Sequence, residues 1–195
     1  MNQINPWFAA RTHVQAESQL PTTMLKEMLK IAKSLEYTQS TTNMADRNYR
    51  TSSNSWLHDD SWIAGILHNI MISVNTGFFN YDLVHFDDRI QVTQYKKTQH
   101  YGWHIDQGPI TDVRPLPRKL SITLLLNDNF EGGDLEIYSP QDQTIYPVPM
   151  KAGSYCVFPS WVVHRVAPVT KGTRYSLVAW MNGPCLLYTS DAADE

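Results

Sequence analysis

The feature that most constrains this chain lies between residues 82 and 181. There, short runs of β-branched, aromatic and aliphatic residues are separated by clusters of turn formers. The pattern predicts strands near 82–87, 90–97, 101–106, 119–126, 134–138, 144–148, 154–158, 162–167 and 173–181. Glu131-Gly132-Gly133-Asp134, Ser139-Pro140-Gln141-Asp142 and Lys151-Ala152-Gly153 supply turns between them. With no helical crossovers between these runs, neighbouring strands must pair antiparallel and close into a sandwich or barrel.

Helical spacing is confined to the first 80 residues. Met24, Leu25, Met28, Leu29, Ala32 and Leu35 recur at that period after Pro21-Thr22-Thr23. Trp62, Ile63, Ile66, Leu67, Ile70, Met71 and Val74 do so after the cap candidates Asp59, Asp60 and Ser61, and Asn75-Thr76-Gly77 is expected to stop that helix. Residues 1–20 read as an edge strand or extended arm, and Thr38 to Ser55 as loop with one short strand at most. The expected fold class is α+β, mainly β: a double-stranded β-helix, or jelly roll, with N-terminal helices packed on one sheet. One domain covers 1–184, with helical support from 1–80 and the jelly-roll core in 81–184.

Composition narrows the function classes. The net charge is −3, and no basic tract exceeds Lys96-Lys97, so no nucleic-acid footprint is expected. No signal-like N-terminus and no bilayer-length apolar run is read, and two cysteines cannot build a disulfide framework, so the expected location is the cytoplasm. The last eleven residues, 185–195, resemble the translation of a sequencing adapter. A short acidic native tail is the alternative; they hold three acids and no base, and on the adapter reading setting them aside takes the charge to neutral and leaves Cys156 as the one native cysteine.

The chemistry centres on Tyr101-Gly102-Trp103-His104-Ile105-Asp106. In a strand, His104 and Asp106 at i and i+2 share a face while Ile105 points to the opposite layer. His164 follows in another strand-like run, and Arg174 ten residues later. Two imidazoles and a carboxylate suit one face of an octahedral ion and leave open positions, the arrangement that non-heme Fe(II) oxygenases use. Arg174 could grip a carboxylate bidentately beside it. A His-x-Asp triplet alone is weak, since a hydrogen-bonded surface imidazole is the ordinary reading of His104. His58, His68 and His100 are read as structural, Arg165 as solvated, and Cys156 as a small core residue.

The order of motifs is more specific. Gln94-Tyr95, Tyr101 to Asp106, Leu120 to Asn127, Glu131 to Leu135, Gly153 to Pro159, His164-Arg165-Val166 and Gly172 to Ser176 follow one another across residues 90–184. In this the sequence resembles the prolyl 4-hydroxylase branch of the Fe(II)/2-oxoglutarate dioxygenases, including its bacterial and phage members. The resemblance implies His104, Asp106 and His164 as iron ligands and Arg174 on the distal carboxylate of 2-oxoglutarate. It also implies Tyr95 assisting that carboxylate, Ser121 lining the cosubstrate pocket and Trp180 in the active-site wall. For Tyr95 and Trp180, ordinary barrel filling stands beside direct contact.

The cofactors implied are Fe(II), 2-oxoglutarate and O2, with ascorbate as a possible addition. The reaction implied is hydroxylation of an unactivated C–H bond with release of succinate and CO2, and the implied substrate is a peptide or protein proline. A free amino acid or other small molecule remains an alternative substrate, and a non-catalytic cupin-like binding module an alternative class. Loop 107–117 is expected to border the pocket. Arg47, Arg50 and the polar stretch to Ser55 read as a solvated loop, with a second lip as the alternative. Trp103 and Trp161 either line the mouth or pack, and the oligomeric state is left open.

Overall fold

A computed structural model describes residues 12–40, 49–86, 89–108, 110, 115–140 and 142–184. Among the described residues fourteen strands and two α-helices follow one another: β1 (Val14–Glu17), α1 (Thr22–Ser34), β2 (Thr38–Gln39), β3 (Ser53–His58), α2 (Trp62–Val74), β4 (His85–Phe86), β5 (Arg89–Lys96) and β6 (Tyr101–His104). After these come β7 (Arg118–Leu125), β8 (Glu131–Gly132), β9 (Leu135–Ser139), β10 (Thr144–Val148), β11 (Ser154–Pro159), β12 (His164–Val166), β13 (Val169–Lys171) and β14 (Thr173–Asn182). The major sheet runs β1-β11-β7-β14-β5-β3-β2, with β4 paired to β14. The minor sheet runs β10-β9-β12-β6, and β13-β8 forms a small ribbon. All the ladders are antiparallel, as expected for a double-stranded β-helix.

Alternation along the strands sorts the chain into layers. On β7, Leu120, Ile122 and Leu124 face the helices, and on β14 Leu177, Ala179 and Met181 do the same. Met28 and Ala32 of α1 and Ile63, Leu67 and Met71 of α2 cover this face. Each fully buried aliphatic side chain there contributes about 1.5–3 kcal/mol. The residues between them, Thr123 on β7 and Arg174, Ser176, Val178 and Trp180 on β14, face a cavity between the sheets. A second core of Leu135, Ile137, Val148, Cys156, Phe158 and Val162 fills one end of the space between the sheets.

Several expectations change. The segment 1–80 is not only helical support, because β1, β2 and β3 all join the major sheet. Ser and Asn dominate β3, which hides it from a hydrophobic-pattern reading. Its ladder partner β5 supplies the register, from Ser53 opposite Gln94 to His58 opposite Arg89. No threonine caps α1, whose N-cap is Pro21 without a side-chain bond, whereas Ser61 does cap α2 by accepting from the Ile63 N–H. Trp62 is exposed rather than part of the buried stripe. The second helix does not stop at Asn75 but continues as a π-helical turn, Asn75–Phe79, closed by Asn80 in the left-handed region. Asn75 then bonds both backbone groups of Tyr81 at 2.9 Å, which seals the turn. Helix and turn together make an 18-residue apolar stretch, Trp62–Phe79, with a span's length and composition. Its Ile63, Leu67 and Met71 face is nevertheless buried in the core.

Candidate metal centre and cosubstrate pocket

His104 ends β6 and His164 begins β12, and the two stand opposite each other in the minor-sheet ladder. Each imidazole is oriented from behind: Nδ1 of His104 donates to Gly102 O at 2.8 Å, and Nδ1 of His164 donates to Val162 O at 3.0 Å. A carbonyl can only accept, so both protons sit on Nδ1 and both Nε2 lone pairs are free for a metal. Tyr101 stacks on His104 with centroids 3.5 Å apart, and Phe158 lies 4.6 Å from His164, which fixes both rings.

Asp106 does not reach the site by strand alternation. β6 ends at His104, and the chain bends so that the N–H groups of Asp106 and Gln107 both donate to Ser160 O, at 2.8 and 2.9 Å. Ile105 is therefore not in an opposite layer but 48% exposed at the cavity mouth. The Asp106 carboxylate lies 3.6 Å from Nε2 of His104 and 3.7 Å from Nε2 of His164. The ligand atoms of all three lie within 4.8 Å of one another, close enough to share one ion. Burial raises the pKa of Asp106, but the two histidines more than reverse this and hold it far below the carboxylate range. Burial, reinforced by His104, pulls His164 down to about 4. The donor set is two nitrogens and one oxygen, with no fourth protein ligand among the described residues; a closed structural zinc site would need one.

The cavity beside these residues has a volume of about 490 Å³. Arg174 lines its inner end at 2% exposure, with Tyr95 opposite it in the β5–β14 ladder. Its Nη1 donates to Ser176 Oγ at 2.7 Å, and its guanidinium carbon is 5.6 Å from the Tyr95 ring centroid. Gly133, at φ +69°, lets the arginine stem pass: a Cβ there would stand 2.8 Å from Val169 Cγ2 and 3.2 Å from Arg174 Cδ. Burial raises the Tyr95 pKa, partly offset by Arg50 and Arg174.

Trp180 also lines the cavity, and its buried Nε1 has no hydrogen-bond partner among the described residues. Ser121 departs from expectation. It is fully buried, with its hydroxyl 2.9 Å from that of Ser160, and Thr123, two residues on along the same strand face, lines the cavity instead.

Among the remaining residues, Trp103 and Trp161 do not line the cavity. Trp103 packs under Arg165, which pairs with Glu136 rather than being merely solvated. His100 sits in a turn against Thr51, away from the metal cluster. Arg50, Asn54 and Trp56 do form a lip of the cavity. Arg47 and most of 109–114 lie outside the described residues. Trp56 and Arg118 are among the lining residues that carry no local sequence motif: one lies inside β3 and the other opens β7.

The comparisons with known proteins fit this geometry. The family model of the 2OG-Fe(II) oxygenase superfamily matches residues 90–182. A PKHD-type hydroxylase of a Synechococcus strain is 36% identical over 95 residues, covering 47% of this chain and 42% of that one. One from Maricaulis maris is 32% identical over 112 residues, covering 56% and 49%. The chain thus spans less than half the length of these curated relatives. A Pseudomonas putida prolyl-4-hydroxylase shares the fold with TM-score 0.72 at 21% identity, covering 90% of this chain and 95% of that one. A Trichoplax adhaerens prolyl hydroxylase, solved with a hypoxia inducible factor peptide fragment, does so with TM-score 0.71 at 18% identity, covering 88% and 84%.

Proposed function

We propose that this chain is an Fe(II)- and 2-oxoglutarate-dependent dioxygenase that hydroxylates a prolyl residue of a peptide or protein. The observation that carries the reading is the pairing of an open two-histidine, one-carboxylate face with a buried guanidinium inside the same cavity. Arg174 is buried, bonds only to a serine hydroxyl among the hydrogen bonds described, and has no directly paired carboxylate among the described residues. A buried cation in that state calls for an anionic ligand. The distal carboxylate of 2-oxoglutarate is such a ligand, and the metal face lies across the same cavity.

When bound, iron with 2-oxoglutarate supplies the oxidising chemistry, consuming O2 and yielding succinate, CO2 and a hydroxylated carbon. The chain's own part is positional. His104 and His164 present Nε2 because their Nδ1 protons are engaged behind, and Asp106 stays ionised. Arg174 and Tyr95 hold the carboxylate end, and Trp180, Leu135, Val166 and Phe158 restrict water in the pocket. The prolyl substrate is supported by the solved relatives of this fold, a prolyl-4-hydroxylase and a prolyl hydroxylase solved with a peptide fragment. The experiment is an anaerobic titration with Fe(II) and 2-oxoglutarate, read as the visible charge-transfer band of the chelate. The band is expected in the native chain and lost in His104→Ala and Asp106→Ala, whose far-ultraviolet circular dichroism is retained. Absence of the band in the native chain refutes the reading.

A further inference from the structure

The cavity holds more positive charge than this chemistry uses. Among its described lining residues Asp106 is the one carboxylate, against the guanidinium groups of Arg50, Arg118 and Arg174. A ferrous ion and a 2-oxoglutarate dianion cancel each other, so the loaded cavity keeps an excess of two positive charges, in a chain whose formal net charge is −3. Arg174 is accounted for by the cosubstrate. Arg118 lies over the Trp180 ring, 3.6 Å from its centroid.

Arg50 is the unexplained one. Its backbone bridges to Tyr101 at the free edge of the minor sheet, and its guanidinium carbon sits 4.4 Å from the Tyr101 ring centroid. Tyr101 in turn stacks on His104, so Arg50 stands one ring away from the metal face. Nε donates to Ser52 Oγ at 3.0 Å, while Nη2 is buried with no acceptor among the described residues. An unmade hydrogen bond on a shielded charged group costs free energy unless a ligand completes it. With Nε engaged, the edge left for that ligand is Nη1–Nη2, whose two parallel N–H groups match the two oxygens of a carboxylate.

Resting on the dioxygenase reading above, we propose that the substrate carries a carboxylate that docks on Arg50, so that the enzyme selects an acidic prolyl substrate over a neutral one. The carboxylate is either the free carboxyl group of the reacting amino acid or peptide terminus, or an acidic side chain beside the reacting residue. Both offer the same two oxygens to the same fork.

The test uses protein loaded with Fe(II) and 2-oxoglutarate, with the anaerobic visible band recorded first so that failure of loading is seen separately. Three arms follow, read as coupled succinate and hydroxyproline: a prolyl peptide ending in a carboxylate or an amide, a prolyl peptide with Asp or Asn next to the proline, and free L-proline against L-prolinamide. At least one carboxylate form is expected to be used with a kcat/KM roughly tenfold or more above its neutral partner. The arm in which this happens names the source of the anion. Arg50→Gln should erase that preference through KM rather than kcat, and Arg50→Lys should retain part of it. Should Arg50→Gln fail to fold, the matched substrates on the native chain still decide.

If the band forms but acidic and neutral partners are used alike, or neither is used, the inference falls while the oxygenase reading stands. It falls equally if Arg50→Gln raises the 2-oxoglutarate requirement and leaves the substrate preference intact, because Arg50 would then hold the cosubstrate.

Discussion

Arg174→Met separates the cost of a buried charge from its use, because the two effects have opposite signs. The native guanidinium is 2% exposed, and burial pulls its pKa down from the usual arginine value. In the unliganded protein it has one serine hydroxyl as a hydrogen-bond partner. Methionine keeps much of the length and volume and removes the charge. The unliganded variant is expected to gain about 1–4 kcal/mol, in line with other replacements of buried ions by apolar groups. For a chain of this size that raises Tm by roughly 2–4 °C per kcal/mol.

On the proposed reading the same change removes the partner of the 2-oxoglutarate carboxylate and costs binding about 2–5 kcal/mol. At a ligand concentration of 100 times its native Kd, 2-oxoglutarate stabilises the native protein by about 2.7 kcal/mol. The variant at that concentration should gain less than about 1 kcal/mol. Urea unfolding under anaerobic Fe(II), with and without 2-oxoglutarate, measures both. A variant that is less stable without ligand and fully stabilised with it would refute the assignment of Arg174 to the cosubstrate.

Other perturbations test the surrounding parts. His164 has its pKa pulled from 6.5 to about 4, so between those values it stays neutral when folded but is protonated when unfolded. Stability of the metal-free protein should therefore be fully present above pH 6.5 and fall by about 3 kcal/mol as pH drops to 4. Denaturation curves at pH 7 and pH 4.5 that coincide would contradict this. Ser121→Ala leaves the Ser160 hydroxyl short of a buried partner and should cost about 1–3 kcal/mol of stability without changing the 2-oxoglutarate KM. A raised KM would return Ser121 to the pocket. Gly133→Ala forces a left-handed backbone and a Cβ against Val169 and the Arg174 stem. It should lower stability by about 1–3 kcal/mol and raise the 2-oxoglutarate KM, both measurable on one preparation.

What could be read from residues alone followed from how local the signal was. The strands from Arg89 to Asn182 fall within a residue or two of their expected bounds in most cases, because alternation and turn glycines are short-range signals. His104 and His164 were legible for the same reason. Asp106 shares no strand face with His104: what brings it beside the histidines is the carbonyl of Ser160, more than fifty residues away, and no window along the chain contains that bond. β3 was missed because Ser53-Asn54-Ser55 look like loop until β5 lies beside them. Trp56 went with it, since its place on the cavity comes from where that strand lies. Ser121 and Thr123 share a strand face, and only the Ser160 hydroxyl opposite Ser121 decides which of the two meets the cavity.

The clamp at Ser160 has a practical corollary. Its own N–H is fixed to Lys119 O at 2.9 Å, so the residue that aims Asp106 is anchored to β7 before the 107–117 segment departs. Residues between Gln107 and Pro117 can then be exchanged with the placement of Asp106 already secured at their root. A scaffold of that kind is suited to retargeting by loop grafting, each new loop bringing its own clientele to an unaltered reactive centre.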